Sequence, residues 1–271
     1  MRVRIALKLG YIGTQSSGFQ IQPDTSTIET HLFEALTALD LMTDPKKCKY
    51  ARASRTDAGV HALGQVVAFD TTHPERAVPK AINAYLPPSI WCWAYANVHP
   101  DFNPRYDAKE RVYEYVLYNE GYDIRAIRRA CKKLEGEHDF YNFITHEKNE
   151  GSTLRTINSI QVRLDGEFVH LIVAAPSFLR TMVRRIITAL KMVGEGVKDE
   201  EWIAQLLSPE SYRESIEPAL PYGLILKHIS YEGVSWQRDE YAVSRASHAL
   251  KEDFVMFGTM ARVIRCMEQM E

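Results

Sequence analysis

From Val3 to Leu9 apolar residues occupy every second position, with Arg2, Arg4 and Lys8 between them. That alternation predicts a strand with one face toward a core. Gly13, Ser16-Ser17-Gly18 and Pro23-Asp24 interrupt the pattern and predict a loop. The period then changes. Ser26-Thr27-Ile28-Glu29 reads as a capping box, and Ile28, Leu32, Leu36 and Leu39 follow at helical spacing. A β-branched run from Val66 to Phe69 predicts the next strand. A short helix from Pro79 to Tyr85 meets Pro87-Pro88, which stops it. Trp91 to Val98 is a further apolar strand.

The second half repeats the theme. Val112 to Tyr118 alternates, with Tyr113, Tyr115 and Leu117 on one face. Asp123 is placed to cap a helix that runs to Leu134 and ends at Gly136. Ile160 to Leu164 and Phe168 to Ala174 flank Asp165-Gly166 and read as a hairpin. Helices are predicted over 177–193 and 199–207, then a strand over 224–231. The charged tail from Trp236 reads as one or two helices. Strand, helix, strand, helix, strand thus occurs twice around a break near residue 105. Regular crossovers are too few for a doubly wound parallel sheet. The pattern fits an α+β fold built from two ferredoxin-like halves, 1–105 and 106–234, with a helical extension over 235–271.

Composition narrows the class. A chain of 271 residues, 45% hydrophobic and 25% charged, can bury a sizeable core. No apolar run approaches the roughly 18 residues that span a membrane. The N-terminus alternates like a strand and lacks the form of a signal peptide, so a cytoplasmic location is expected. Cys48, Cys92, Cys131 and Cys266 form no Cys-x-x-Cys pair and have no His at ligand spacing. Isolated thiols fit a reducing compartment, and no metal site is expected. A net charge of −2 argues weakly against a nucleic-acid partner. Basic residues nevertheless cluster at Lys46 to Arg55, at Arg125 to Lys133 and at Arg180 to Lys191. A basic cleft on a neutral protein satisfies both observations. Gly194-Glu195-Gly196 lacks the third glycine and the lysine of a phosphate loop and reads as a helix stop.

The segment carrying the most chemistry is Arg55-Thr56-Asp57-Ala58-Gly59-Val60-His61, followed by Gly64-Gln65-Val66-Val67. It sets a carboxylate on a tight loop that feeds a strand, where functional groups tend to lie. Taken alone, such an Asp is more often the solvated carboxylate of an Asx turn. The whole heptad resembles the signature of the TruA-type tRNA pseudouridine synthases. Four other blocks resemble that family in its order: Tyr11-x-Gly13 with Gly18-Phe19-Gln20-Ile21-Gln22, Arg111-Val112-Tyr113-Glu114-Tyr115, Phe178 to Arg184, and Tyr222 to Leu226. Ile12 and Phe19 depart from the usual acidic residue and Trp. The tail after Ser235 has no counterpart in short bacterial members. Both features suit a divergent, archaeal-like branch.

The resemblance implies two ferredoxin-like (RRM-like) halves whose antiparallel sheets merge, with the active site in the central cleft. It implies isomerisation of uridine to pseudouridine in the tRNA anticodon arm, at positions 38 to 40, by a homodimer without a cofactor. Asp57 would be the nucleophile. Attack at C6, attack at C1′ and elimination to a glycal all stay open. Arg184 would pair with Asp57, because a carboxylate in a closed pocket tends to its neutral form without a cation. Arg180, Arg184, Thr188 and Lys191 would share one helix face. Tyr113 would stack on the target base and assist removal of the C5 proton. Arg55 would fill the space vacated by the turned-out nucleotide or hold a phosphate, and Arg180 would contact the RNA backbone or lie on the surface. Gly59 would supply a backbone shape denied to other residues, and His61 would hold the loop. The competing readings are a tRNA-binding module that does no chemistry and an unrelated ferredoxin-like enzyme that acts on a small molecule.

Overall fold

A computed structural model describes residues 2–145 and 151–268. The chain opens with β1 (Val3–Tyr11), α1 (Ile28–Ala38), β2 (Ala51–Arg52), β3 (His61–Thr71), α2 (Pro79–Ile82) and β4 (Ile90–Asn97). The second half follows as β5 (Ala108–Tyr118), α3 (Ile124–Leu134), β6 (Gly136–Asp139), β7 (Leu154–Ile157), β8 (Ser159–Asp165), β9 (Phe168–Ala175), α4 (Met182–Gly194), α5 (Glu200–Leu206) and β10 (Leu224–Tyr231). A short β11 (Gln237–Arg238) leads into α6 (Glu240–Met267).

The main sheet runs β11-β4-β1-β3-β10-β5-β9-β8, with β2 also on β3. Within each half the last strand lies beside the first and the first beside the third. The halves meet where β10 pairs with β3, and that pairing is parallel. The sheet is therefore mixed, a correction to the wholly antiparallel merger expected. The reason is directional. Both strands start from the same end, where Tyr222 and His61 lie together, and almost all of the second half forms the long connection a parallel pair requires. Gly64 lets the seam close, because a Cβ there would stand 2.7 Å from His228 Cα.

One core runs under both halves. Ile28, Leu32 and Leu36 of α1 share it with Leu7, Leu9 and Phe69, and Ile127, Ile186 and Ile203 of α3, α4 and α5 share it with Leu171 and Val173. The strand β1 is buried on its polar side too. Arg4 spans the Phe102 and Lys49 carbonyls and Asp70, and the Lys8 ammonium lies over the Trp93 and Trp236 rings. The expected capping box is absent. Thr27 caps α1 by accepting from the Thr30 N–H, while the buried Glu29 carboxylate is taken by Arg52 and the Ile21 N–H.

One helical expectation changes and another narrows. The helix predicted from 177 begins only at Met182, because Thr181 adopts a left-handed backbone, φ +60°. Thr181 is held there by Arg185, whose Nε donates to Thr181 Oγ1 at 3.1 Å and whose other nitrogens reach the Ile216 carbonyl and Thr145. The C-terminal tail forms one long helix, α6.

Candidate active site

The Asp57 loop is fixed from below before any side chain reaches the site. Gln65 is fully buried, and its amide accepts from the Ser54 N–H at 3.2 Å and donates to the Ser54 carbonyl at 3.0 Å. The Thr56 hydroxyl meets Tyr11 Oη at 2.8 Å, and the Thr56 carbonyl accepts from the Phe19 N–H at 3.1 Å. The Val60 N–H then donates to the Asp57 carbonyl at 3.1 Å, closing a tight turn. Gly59 has φ +81°, and a Cβ there would lie 2.8 Å from Pro221 Cγ. The turn needs glycine for its backbone and for its space.

Arg184, in the first turn of α4, meets Asp57 from the other half of the chain. Its Nη1 donates to Asp57 Oδ2 at 3.0 Å, with the two side chains 14% and 27% exposed. That shielding separates the pair from an ordinary solvated surface bridge. The guanidinium does not grip the carboxylate with two parallel bonds, as its fork would allow. Its Nε instead donates to the Ala219 carbonyl at 2.6 Å, and the Ala219 N–H returns a bond to the Arg184 carbonyl at 3.1 Å. One arm of the fork thus fixes the other.

Tyr113 lies on β5 with its hydroxyl 3.0 Å from Ser54 Oγ, three residues before Asp57. Its ring meets Phe178 edge to face at 5.2 Å and is only 7% exposed. The residue sits against the loop, and its ring is buried. Burial raises the pKa of its phenol; Ser54 and Arg111 oppose that rise and Asp57 adds to it. Tyr115 serves another end, its hydroxyl donating to the Leu220 carbonyl at 3.1 Å.

His61 joins the halves. Its Nδ1 accepts from the Gly13 N–H at 3.1 Å, which leaves Nε2 to donate to the Tyr222 carbonyl at 3.1 Å. Burial lowers its pKa, against a smaller upward pull from the Tyr222 bond. A neutral imidazole satisfies both partners.

Arg55 and Arg180 are exposed, and neither lies on a helix. The turn at Thr181 takes Arg180 off the Arg184 face, so the shared face predicted over Arg180, Arg184, Thr188 and Lys191 is not formed. Burial first, then Arg52 and Arg105, lower the pKa of Arg55; Glu29 opposes them and Arg180 adds to them. The charges of Arg105 and Arg180 thus act on Arg55, while that of Arg52 is paired with Glu29. The other basic clusters are spent elsewhere. Arg129 and Lys133 pair with Glu200 and Glu201, and Arg185 is buried. A hollow of about 610 Å³ lies between the halves near Phe102 and Lys109, and none of Asp57, Tyr113 and Arg184 lines it.

Sequence reasoning missed Ser54, Gln65 and Arg111. Gln65 stands in the motif, but its side chain bonds backward across a loop, which no spacing rule reports. Arg111 opens a recognised block, yet its partners lie 58, 6 and 65 residues away.

Known proteins bear on this geometry. The profile of the tRNA pseudouridine synthase family matches residues 130–232. A tRNA pseudouridine synthase A of Methanosarcina mazei is 49% identical over 263 residues, covering 97% of both chains. One from Archaeoglobus fulgidus is 40% identical over 268 residues, covering 98% of both. The crystal structure of a Cbf5-Nop10-Gar1 complex superposes on 69% of this chain and 54% of that one, at 14% identity and a TM-score of 0.33, too loose a likeness to carry an argument. Identity of this order along nearly the whole chain leaves one conclusion: the protein belongs to the tRNA pseudouridine synthase family, whose members are isomerases.

Proposed function

We propose that this enzyme isomerises uridine in the tRNA anticodon arm, at positions 38 to 40, with Asp57 as nucleophile. The observation that carries the reading is the shielded 3.0 Å contact between Asp57 and Arg184. A carboxylate held by one arm of a fixed guanidinium keeps its direction, while its other oxygen is left to react. In the reaction the N1–C1′ bond breaks and a C5–C1′ bond forms. The C5 proton passes to water and N1 ends protonated, so the step balances without a cofactor. Asp57 adds to C6 or to C1′, or assists elimination to a glycal.

Tyr113 orients the base, and Phe178 has to swing aside for the ring faces to meet. Because burial keeps the phenol protonated near neutral pH, little phenolate exists to take the C5 proton. Arg55 and Arg180, with Arg105 near them, supply the charge that holds the flanking phosphates. That local charge answers the objection raised by the net charge of −2.

The same reading takes residues 1–105 and 106–234 as two ferredoxin-like halves, and the equivalent strand order of the two supports it. Residues 235–271 are an extension. A homodimer is proposed on the apolar side chains that α6 leaves exposed. A cytoplasmic site of action goes with the tRNA substrate and four free cysteines. No helix among the described residues is long and apolar enough to cross a membrane.

The test is tritium release from C5-labelled, unmodified tRNA by wild type and Asp57→Asn. Release by wild type alone, with tRNA affinity within about threefold in the variant, supports the reading, since phosphate contacts dominate binding. Release by Asp57→Asn at the wild-type rate removes the nucleophile. No release by either protein on any tRNA favours a binding module.

A further inference from the structure

We propose that Arg111 is the positioning residue of this active site, holding three segments from both halves of the chain at one point. The inference rests on the reading of Asp57 given above. Arg111 is the second residue before Tyr113 on the same face of β5 and is 6% exposed. Its Nη2 donates to the Ala53 carbonyl at 3.2 Å and to the Arg105 carbonyl at 2.7 Å, and its Nη1 donates to the Pro176 carbonyl. Each carbonyl begins or ends a segment that delivers a group to the site. Ala53 leads to Ser54, Arg55 and Asp57. Arg105 carries a guanidinium whose charge acts on Arg55. Pro176 leads to Phe178, which packs on Tyr113, and to Arg180.

A bland structural role fits these contacts poorly. Arg111 forms no ion pair among the described residues, so its charge is buried against main-chain dipoles alone. An apolar side chain of similar volume would avoid burying that charge but would leave the three carbonyls without this donor. What the guanidinium adds is a rigid planar fork with five donors, able to fix several acceptors at set angles. Loops of 53–57 and 176–180 share no strand pairing with each other. Arg111 ties the main chain of both to one strand, beside Tyr113, whose side chain meets Ser54 and Phe178. Its charge also opposes the effect of burial on the neighbouring phenol.

The experiment uses the full-length enzyme and unmodified tRNA. Arg111→Lys keeps the charge and loses the fork; Arg111→Met loses both. Leu171→Ala, in the core of β9, serves as a variant that loses stability without touching the site. Turnover, KM, tRNA affinity and Tm are measured on each. In Arg111→Lys, kcat should fall by about 100-fold, the scale of a 1 Å misplacement, with KM and affinity within about threefold. Leu171→Ala should match or exceed its loss of Tm and keep kcat within about threefold of wild type at 25 °C. Arg111→Met should lose at least as much turnover; failure of that variant to fold leaves the decision to Arg111→Lys. A wild-type kcat in Arg111→Lys, or a loss of kcat that Leu171→Ala shares, overturns the inference alone. Turnover by Asp57→Asn overturns the reading beneath it and the inference with it.

Discussion

At the scale of single residues, the division of labour within the Arg184 guanidinium is the informative point. Nη1 serves Asp57 and Nε serves Ala219, so the cation is aimed by the chain that it also pins. Lysine offers a point charge on a flexible stem and cannot hold both partners at those angles. Arg184→Lys should therefore lower single-turnover rates by about 10- to 100-fold with tRNA affinity nearly unchanged. A rate within threefold of wild type would show that the pairing does not matter to chemistry. His61 carries a different prediction. Its folded pKa is lowered, chiefly by burial, so the unfolded chain takes up the proton first. Stability from this group is full above the unfolded value of about 6.5 and is lost as pH falls from there toward the folded value. His61→Gln keeps an acceptor for the Gly13 N–H and a donor for the Tyr222 carbonyl without titrating. Melting temperature should fall less between pH 7.5 and pH 5 in that variant than in wild type. His228, also lowered by burial, is present in both and cancels from the comparison. Equal losses would remove His61 as the sensitive group.

At the scale of elements, the seam between β3 and β10 decides whether the residues of the two halves meet. Only two residue pairs define it, Ile225 with His61 and Leu226 with Ala62. Gly64 allows the close crossing next to them, because an added Cβ would also stand 2.7 Å from the Lys227 carbonyl. Gly64→Ala should cost about 1–3 kcal/mol, the range for overpacking a filled site, and should lower turnover by opening the His61–Tyr222 contact. Unchanged melting and turnover would mean that the seam has slack. This crossing could not be read from the sequence, where Gly64 is one glycine in a β-branched stretch. What could be read was local. Alternation marked β1 and β5, Asp123 marked the start of α3, and the order of motif blocks brought Asp57, Tyr113 and Arg184 toward one cleft. The start of α4 was misread for a physical reason. Nothing in Phe178-Leu179-Arg180-Thr181 forbids helix, and the left-handed turn at Thr181 goes with a bond with Thr145 and with an Arg185 that also reaches Ile216, contacts made only in the folded chain. Gln65 and Arg111 were illegible on the same ground, since their partners are main-chain atoms that only the folded chain brings near.

At the scale of the whole molecule, α6 asks for a partner that the rest of the chain does not supply. Its 28 residues extend about 42 Å at 1.5 Å each. The first turns rest on β4 and α2, and Arg265 near the far end bonds Glu167 and Tyr118. Between them the helix stands clear. Phe254 is 77% exposed, Phe257 64% and Met260 50%, with Val263 and Ile264 beside them. A helix with so many exposed apolar residues on more than one side is not the amphipathic surface helix of a monomer. A second copy meets the need economically, because one twofold axis buries the same patch on both chains. The patch has to contribute toward the roughly 800 Å² per partner of a stable interface. Light scattering at micromolar concentration should give twice the chain mass for wild type. Phe257→Glu with Met260→Glu should give the chain mass itself, because two carboxylates per chain would have to be buried without partners. The same variant should melt close to the wild-type temperature at low concentration, where the wild type also dissociates. A wild-type enzyme that stays monomeric at every concentration tested would refute the dimer. A variant that remains dimeric would move the interface off α6.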